Sequence, residues 1–136
     1  MTVIQKIKPK KYNILVVDDD VLIRCLIDDI LQKLNYNILH ANNGEEAIET
    51  LNIKDIDLII LDLYLPGKNG FEICSDIREV EDWKDIPILI MTAVYTRSKY
   101  FYKSKDFGAN AFITKPFKCK TLVNQVNKLL KIENPQ

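Results

Sequence analysis

The sequence predicts a doubly wound α/β domain, with five parallel strands in one sheet and helices on both of its faces. Three observations predict it. Five short apolar runs recur without polar alternation, as strands covered on both sides require. The segments between them space their apolar residues at helical intervals. Turn and cap residues mark each change of pattern, so strand and helix alternate in the order that gives right-handed crossovers.

Residues 1–12 carry Lys6, Lys8, Lys10 and Lys11 around Pro9 without a sustained period, and are expected to form a flexible leader. The run rich in Ile, Leu and Val that ends at Val17 is the first strand, and it stops abruptly at Asp18-Asp19-Asp20. From Val21, the residues Ile23, Leu26, Ile27, Ile30 and Leu34 follow helical spacing, with Asp20 as N-cap and Asn35-Tyr36-Asn37 as the stop. Strand two covers 38–41. Asn42-Asn43-Gly44 then leads into a helix holding Ala47, Ile48 and Leu51, where Asn43 and Glu46 have the spacing of a capping box.

Strand three, 58–61, is followed by a Pro66-Gly67 turn and a helix around Phe71, Cys74 and Ile77. Strand four, 88–91, begins after Pro87, where the missing N–H is tolerated. A further helix is expected between 94 and 107, with Gly108 as its stop. Strand five, 111–114, precedes Lys115-Pro116, and the last helix gathers Leu122, Val123, Val126, Leu129 and Leu130 on one face. The expected count is five strands and five helices in a domain spanning 13–132, with 133–136 as a tail.

At 136 residues and 47% hydrophobic, the chain has the size and composition of one domain with a real core. Lys+Arg and Asp+Glu balance at 19 each, so no overall field favours nucleic acid or an acidic membrane. The apolar runs fall far short of the roughly 20 residues that cross a bilayer, and the N-terminus does not resemble a signal peptide. The cytoplasm is the expected location. Cys25, Cys74 and Cys119 are odd in number and form no CxxC pair, which argues against a disulfide framework or a zinc site. They are expected to be reduced, mostly packing thiols.

In such a sheet the ligand crevice lies beyond the carboxyl ends of the strands. Strand one ends in Asp18-Asp19, strand three in Asp62, strand four in Thr92 and strand five in Lys115, so a parallel sheet brings all of them to one rim. Each alone is an ordinary strand-end residue; the set is not. Three close carboxylates repel one another unless a cation is bound. Magnesium suits them, being a hard ion held by one or two carboxylates together with phosphate oxygens. One carboxylate could then accept a phosphoryl group as an aspartyl phosphate, with Lys115 as fixed counter-charge and the Thr92 hydroxyl as donor. His40, at the end of strand two, is expected to be an ordinary edge residue.

Val16-Val17-Asp18-Asp19, Leu61-Asp62-Leu63-Tyr64-Leu65-Pro66, Gly70, Met91-Thr92-Ala93 and Lys115-Pro116-Phe117 together resemble the receiver domain of two-component response regulators, over 13–132. The resemblance implies the flavodoxin-like strand order 2-1-3-4-5 and Asp62 as phosphoacceptor. It implies a Mg2+ site from Asp18, Asp19, Asp62 and the backbone carbonyl of Tyr64, with Asp19 the direct ligand of the acidic pair. Lys115 would contact the phosphoryl group and its bond to Pro116 would be cis, while Thr92 and Phe112 would act as the switch. The implied donor is a sensor histidine kinase, a phosphotransfer protein or a small acyl phosphate. An unidentified protein partner would read the face formed by the fourth helix, the fifth strand and the fifth helix. The protein is expected to be a switch rather than a turnover enzyme, with no membrane and no nucleic-acid partner for this chain alone.

Two details depart from the commonest pattern of the family. Asp20 adds a third acid, and Tyr64 is bulky; with Val94 it is expected to limit the attacking water and set the phosphoryl lifetime. Tyr95, Tyr100, Phe101, Tyr102 and Phe107 alternate with Arg97, Lys99, Lys103 and Lys105. Helical neighbours point about 100° apart, so at least one of the three consecutive aromatics should face a partner. A haloacid-dehalogenase-like phosphatase would need an acid where Tyr64 stands, and a flavodoxin would need a hydroxyl-rich loop where three aspartates stand. A receiver cut from a longer DNA-binding regulator is the alternative reading.

Overall fold

The computed structural model describes residues 11–93 and 107–132. Five strands, β1 (Asn13–Val17), β2 (Asn37–Ala41), β3 (Leu58–Asp62), β4 (Ile88–Thr92) and β5 (Ala111–Thr114), pair in parallel in the order β2-β1-β3-β4-β5. The described α-helices are α1 (Val21–Gln32), α2 (Gly44–Ile53), α3 (Gly70–Arg78) and α4 (Cys119–Leu129), and a short 3-10 turn covers Glu81–Trp83. The helix expected between 94 and 107 lies outside the described residues apart from Phe107, as do the tail and all of the leader except Lys11 and Tyr12. Tyr12 packs edge-on against Tyr36, and its carbonyl accepts the Asn37 N–H at 2.8 Å. No helix among the described residues is long and apolar enough to cross a membrane.

The central strands β3 and β4 are buried at every position, which explains why their sequences read as unbroken apolar runs. Alternate residues feed two cores. Leu15, Val17, Ile59, Leu61, Ile88 and Ile90 pack under α2 and α3, while Ile14, Val16, Leu58, Ile60, Leu89 and Met91 pack under α1 and α4. Strands three and four each extend one residue past the expected ends, so Asp62 and Thr92 are the last residues of their strands and inherit their burial.

The helix ends follow local chemistry. Asp20 caps α1 through the Leu22 N–H, as expected. Leu26 and Leu34, expected on the inward face of that helix, are exposed, whereas Ile27 and Leu31 are buried. The helix stops at Gln32, so Leu34 belongs to the turn that Asn35 closes with a positive φ of 63°. Asn43 caps α2, but Glu46 does not complete the expected capping box; its carboxylate goes to the N–H and side-chain amide of Asn42 instead. A complete box closes α3, where Asn69 and Glu72 exchange bonds.

The cysteines divide rather than packing as a group. Cys74 is buried in α3, with its thiol pushed up to about 11 by that burial, but Cys25 and Cys119 sit on exposed faces of α1 and α4. His40 lies on the outer strand β2 and meets Asp28 at 2.7 Å, in keeping with an edge residue.

Candidate functional site

The ends of β1 and β3 meet where the sheet order reverses, β5 sends Lys115 to join them, and Thr92 ends the adjoining strand β4. Asp18 directly follows β1 and is fully buried. Its N–H donates to the Ala41 carbonyl at 3.1 Å and its Oδ1 accepts the Asp20 N–H at 2.9 Å. Asp62 closes β3 at 6% exposure, and Thr92 closes β4 fully buried. Lys115 follows β5, and its N–H is fixed on the Thr92 carbonyl at 2.7 Å. Its Nζ lies 2.9 Å from Asp18 Oδ2 and 3.5 Å from Asp62 Oδ1.

The Lys115–Pro116 peptide is cis, as expected. The start of α3 presses against the same rim. The Gly70 N–H donates to the Leu63 carbonyl at 2.7 Å, and a side chain on Gly70 would stand only 2.6 Å from the Asp62 carbonyl oxygen. Only glycine fits so close to that backbone, which is the physical reason for the Gly70 that the sequence pattern included.

Asp18, Asp19 and Asp62 each offer a carboxylate oxygen, and these atoms lie within 4.8 Å of one another, with Asp19 on the exposed side. Burial pushes Asp62 from 3.8 up to about 6; Asp18 adds to the rise, while Lys115 and the Tyr64 N–H pull against it. Among the described residues, Lys115 is the ammonium that meets this group, at two of its three carboxylates, which leaves an excess of negative charge in a partly dry site. The donors are all oxygen, with no thiolate or imidazole among them. A small hard divalent cation fits this set, and magnesium fits it well.

Of the remaining expected residues, Tyr64 stands at the mouth, half exposed, and Phe112 is partly buried in β5 against the core under α2 and α3. Val94 and the aromatic residues from Tyr95 to Tyr102 lie outside the described residues. The sequence reading missed Arg24, whose Nη1 donates to the Asp18 carbonyl at 3.1 Å and also to Asn42 Oδ1. A cation one helical turn beyond an acidic N-cap was the available signal, but the sequence does not reveal which carbonyl it meets.

The family profile of the response regulator receiver domain matches residues 14–127. The chain belongs to that family, the receiver domains of two-component signalling systems. It is 40% identical over 119 residues to the transcriptional regulatory protein ResD of Bacillus subtilis, covering 88% of this chain and 48% of that protein. It is 31% identical over 121 residues to the chemotaxis protein CheY-3 of Vibrio cholerae, covering 88% and 92%. Among solved structures, the chemotaxis response regulator CheY4 of Vibrio cholerae superposes with a TM-score of 0.83 at 30% identity, over 88% of this chain and 99% of that one. The chain thus spans about half the length of the transcriptional regulators it matches and nearly all of the chemotaxis proteins.

Proposed function

We propose that this receiver is a phosphorylation-dependent switch in which Asp62 accepts a phosphoryl group from a phosphohistidine of a sensor kinase or phosphotransfer protein, or from a small acyl phosphate. The observation that carries the reading is the convergence of Asp18, Asp19, Asp62 and Lys115 at one rim, with the carboxylate oxygens within 4.8 Å and the ammonium bridging two of the acids. Asp19, Asp62 and the Tyr64 backbone carbonyl would hold magnesium, with Asp18 beside them. When bound, the ion supplies the positive charge that lets carboxylates and phosphoryl oxygens share one site.

The chain's own residues do the remaining work. With its carboxyl at about 6, Asp62 is mostly ionised at neutral pH and therefore nucleophilic. One of its oxygens forms the new P–O bond while the donor's P–N or P–O bond breaks, and the bonding pair leaves on the imidazole or on the departing carboxylate. Lys115 turns from Asp18 towards the phosphoryl oxygens, and the Thr92 hydroxyl donates to one of them. Thr92 and Phe112 move with it, shifting the population of a surface built on β5 and α4, together with the helix expected between 94 and 107.

A protein partner in the cytoplasm reads that surface. The chain spans about half the length of the transcriptional regulators it matches, and the proposal concerns the receiver alone.

Incubation with magnesium and acetyl phosphate, followed by intact mass, tests the reading. One added phosphoryl mass in the native protein and none in Asp62→Asn is the expected result. An adduct that persists in Asp62→Asn, or none in either protein with any donor, would overturn it.

A further inference from the structure

All four polar groups of Asp18 are bonded, each to a different part of the fold: the Ala41 carbonyl, the Asp20 N–H, Lys115 Nζ and Arg24 Nη1. The carbonyl that Arg24 holds belongs to the peptide joining Asp18 to Asp19. That unit is planar, so its donor fixes the plane from which Asp19 departs. Arg24 is itself anchored, because the same nitrogen donates to Asn42 Oδ1. Asn42 gives its backbone N–H to Glu46 Oε2 at 2.8 Å and its Nδ2 to Oε1 at 3.1 Å, which leaves its amide oxygen turned to Arg24. Half-buried Arg24 and Glu46 thus brace α1 against α2 through the turn that joins β2 to α2.

The charges of the brace suit this task. Hydrogen bonds from Asn42 hold the Glu46 carboxyl below the usual range, so it stays ionised and offsets the guanidinium. A donor reaches the acidic loop with no net positive charge added to repel a cation.

We propose that Arg24 is a positioning residue for the metal site: by pinning the Asp18–Asp19 peptide to the Asn42–Glu46 brace, it holds the Asp19 carboxylate within reach of Asp62. The role of that site in phosphoryl transfer rests on the function proposed above, but metal binding itself does not.

Binding of Mn2+ alone, followed by the electron paramagnetic resonance of the free ion, reads the site without a phosphoryl donor. Arg24→Gln is expected to weaken binding about tenfold, the lower end of the range for lost support of a metal ligand. Asn42→Ala, at an exposed position, removes the anchor but not the donor and should cost about two- to threefold. The double variant should bind no more weakly than Arg24→Gln, because the two residues act in series.

With acetyl phosphate, Arg24→Gln should raise the Mg2+ concentration for half-maximal adduct formation by the same factor. Its rate at saturating Mg2+ should stay within about twofold of the native protein, a split that general loss of packing does not produce. Unchanged Mn2+ affinity in Arg24→Gln, or losses that multiply in the double variant, overturns the role. If Arg24→Gln fails to fold, native affinity in Asn42→Ala overturns it alone. A native protein that binds Mn2+ through this brace but never forms an adduct would sink the phosphoacceptor reading and leave this one supported.

Discussion

Asn in place of Asp62 removes a charge that the fold holds at a cost. The Asp62 carboxyl titrates near 3.8 when unfolded and at about 6 in the native metal-free site, chiefly because of burial. Between those values the native state binds the extra proton, so stability falls as pH rises through the window, and the whole penalty is present above it. At about 1.4 kcal/mol per pH unit, the interval sets a ceiling of about 3 kcal/mol. Asn keeps an acceptor for the Tyr64 N–H, and Lys115 keeps Asp18 at 2.9 Å, so the substitution leaves no orphaned ammonium.

Asp62→Asn is therefore expected to be more stable than the native protein by about 1–3 kcal/mol at pH 7.5 in chelator. For a domain of this size that raises the melting temperature by roughly 3–4 °C per kcal/mol. The gain should shrink as pH falls and vanish below about pH 4. Thermal melts of both proteins from pH 4 to 7.5 in EDTA measure it. A difference that stays constant across that range, or a variant less stable than the native protein at pH 7.5, would refute the burial argument.

Other predictions concern the same rim. Magnesium at a hundredfold excess over its dissociation constant should stabilise the native protein by about 2.7 kcal/mol and Asp19→Asn much less, as thermal melts would show; equal gains would place the ion elsewhere. Gly70→Ala should cost about 2 kcal/mol or more in chemical denaturation, because its methyl group would meet backbone at 2.6 Å; a neutral result would mean that α3 shifts freely. Replacing Tyr64 and Val94 by alanine should speed loss of the phosphoryl mass severalfold by admitting water, and an unchanged decay would clear both residues of that role.

The fold was legible where burial left a simple imprint. Leu58 to Leu61 and Ile88 to Met91 are apolar throughout because helices cover both faces of the sheet, so β3, β4 and the positions of Asp62 and Thr92 could be read directly. The convergence of Asp18, Asp62 and Lys115 followed from parallel topology alone. What escaped depended on direction rather than residue type. Cys25 and Cys74 are both helical, but only the second faces the sheet. Glu46 has the spacing to close a box on Asn43 and instead reaches one residue further back, to the N–H and side-chain amide of Asn42, whose oxygen meets Arg24. A partner chosen among near neighbours in space leaves no periodic trace in the chain.

The contact between Lys115 and Asp18 has a mechanical side. β5 is an outer strand and β1 lies three strands further in, so at about 4.8 Å per strand the Lys115 and Asp18 side chains together form a strap across some 14 Å of sheet. In the proposed switch the strap is unhooked from β1 and fastened to a group on β3, which shortens its span by one strand. The tension on the sheet's outer edge then becomes a register of what is attached to Asp62, and the first mark of the signal is how firmly one border strand is moored.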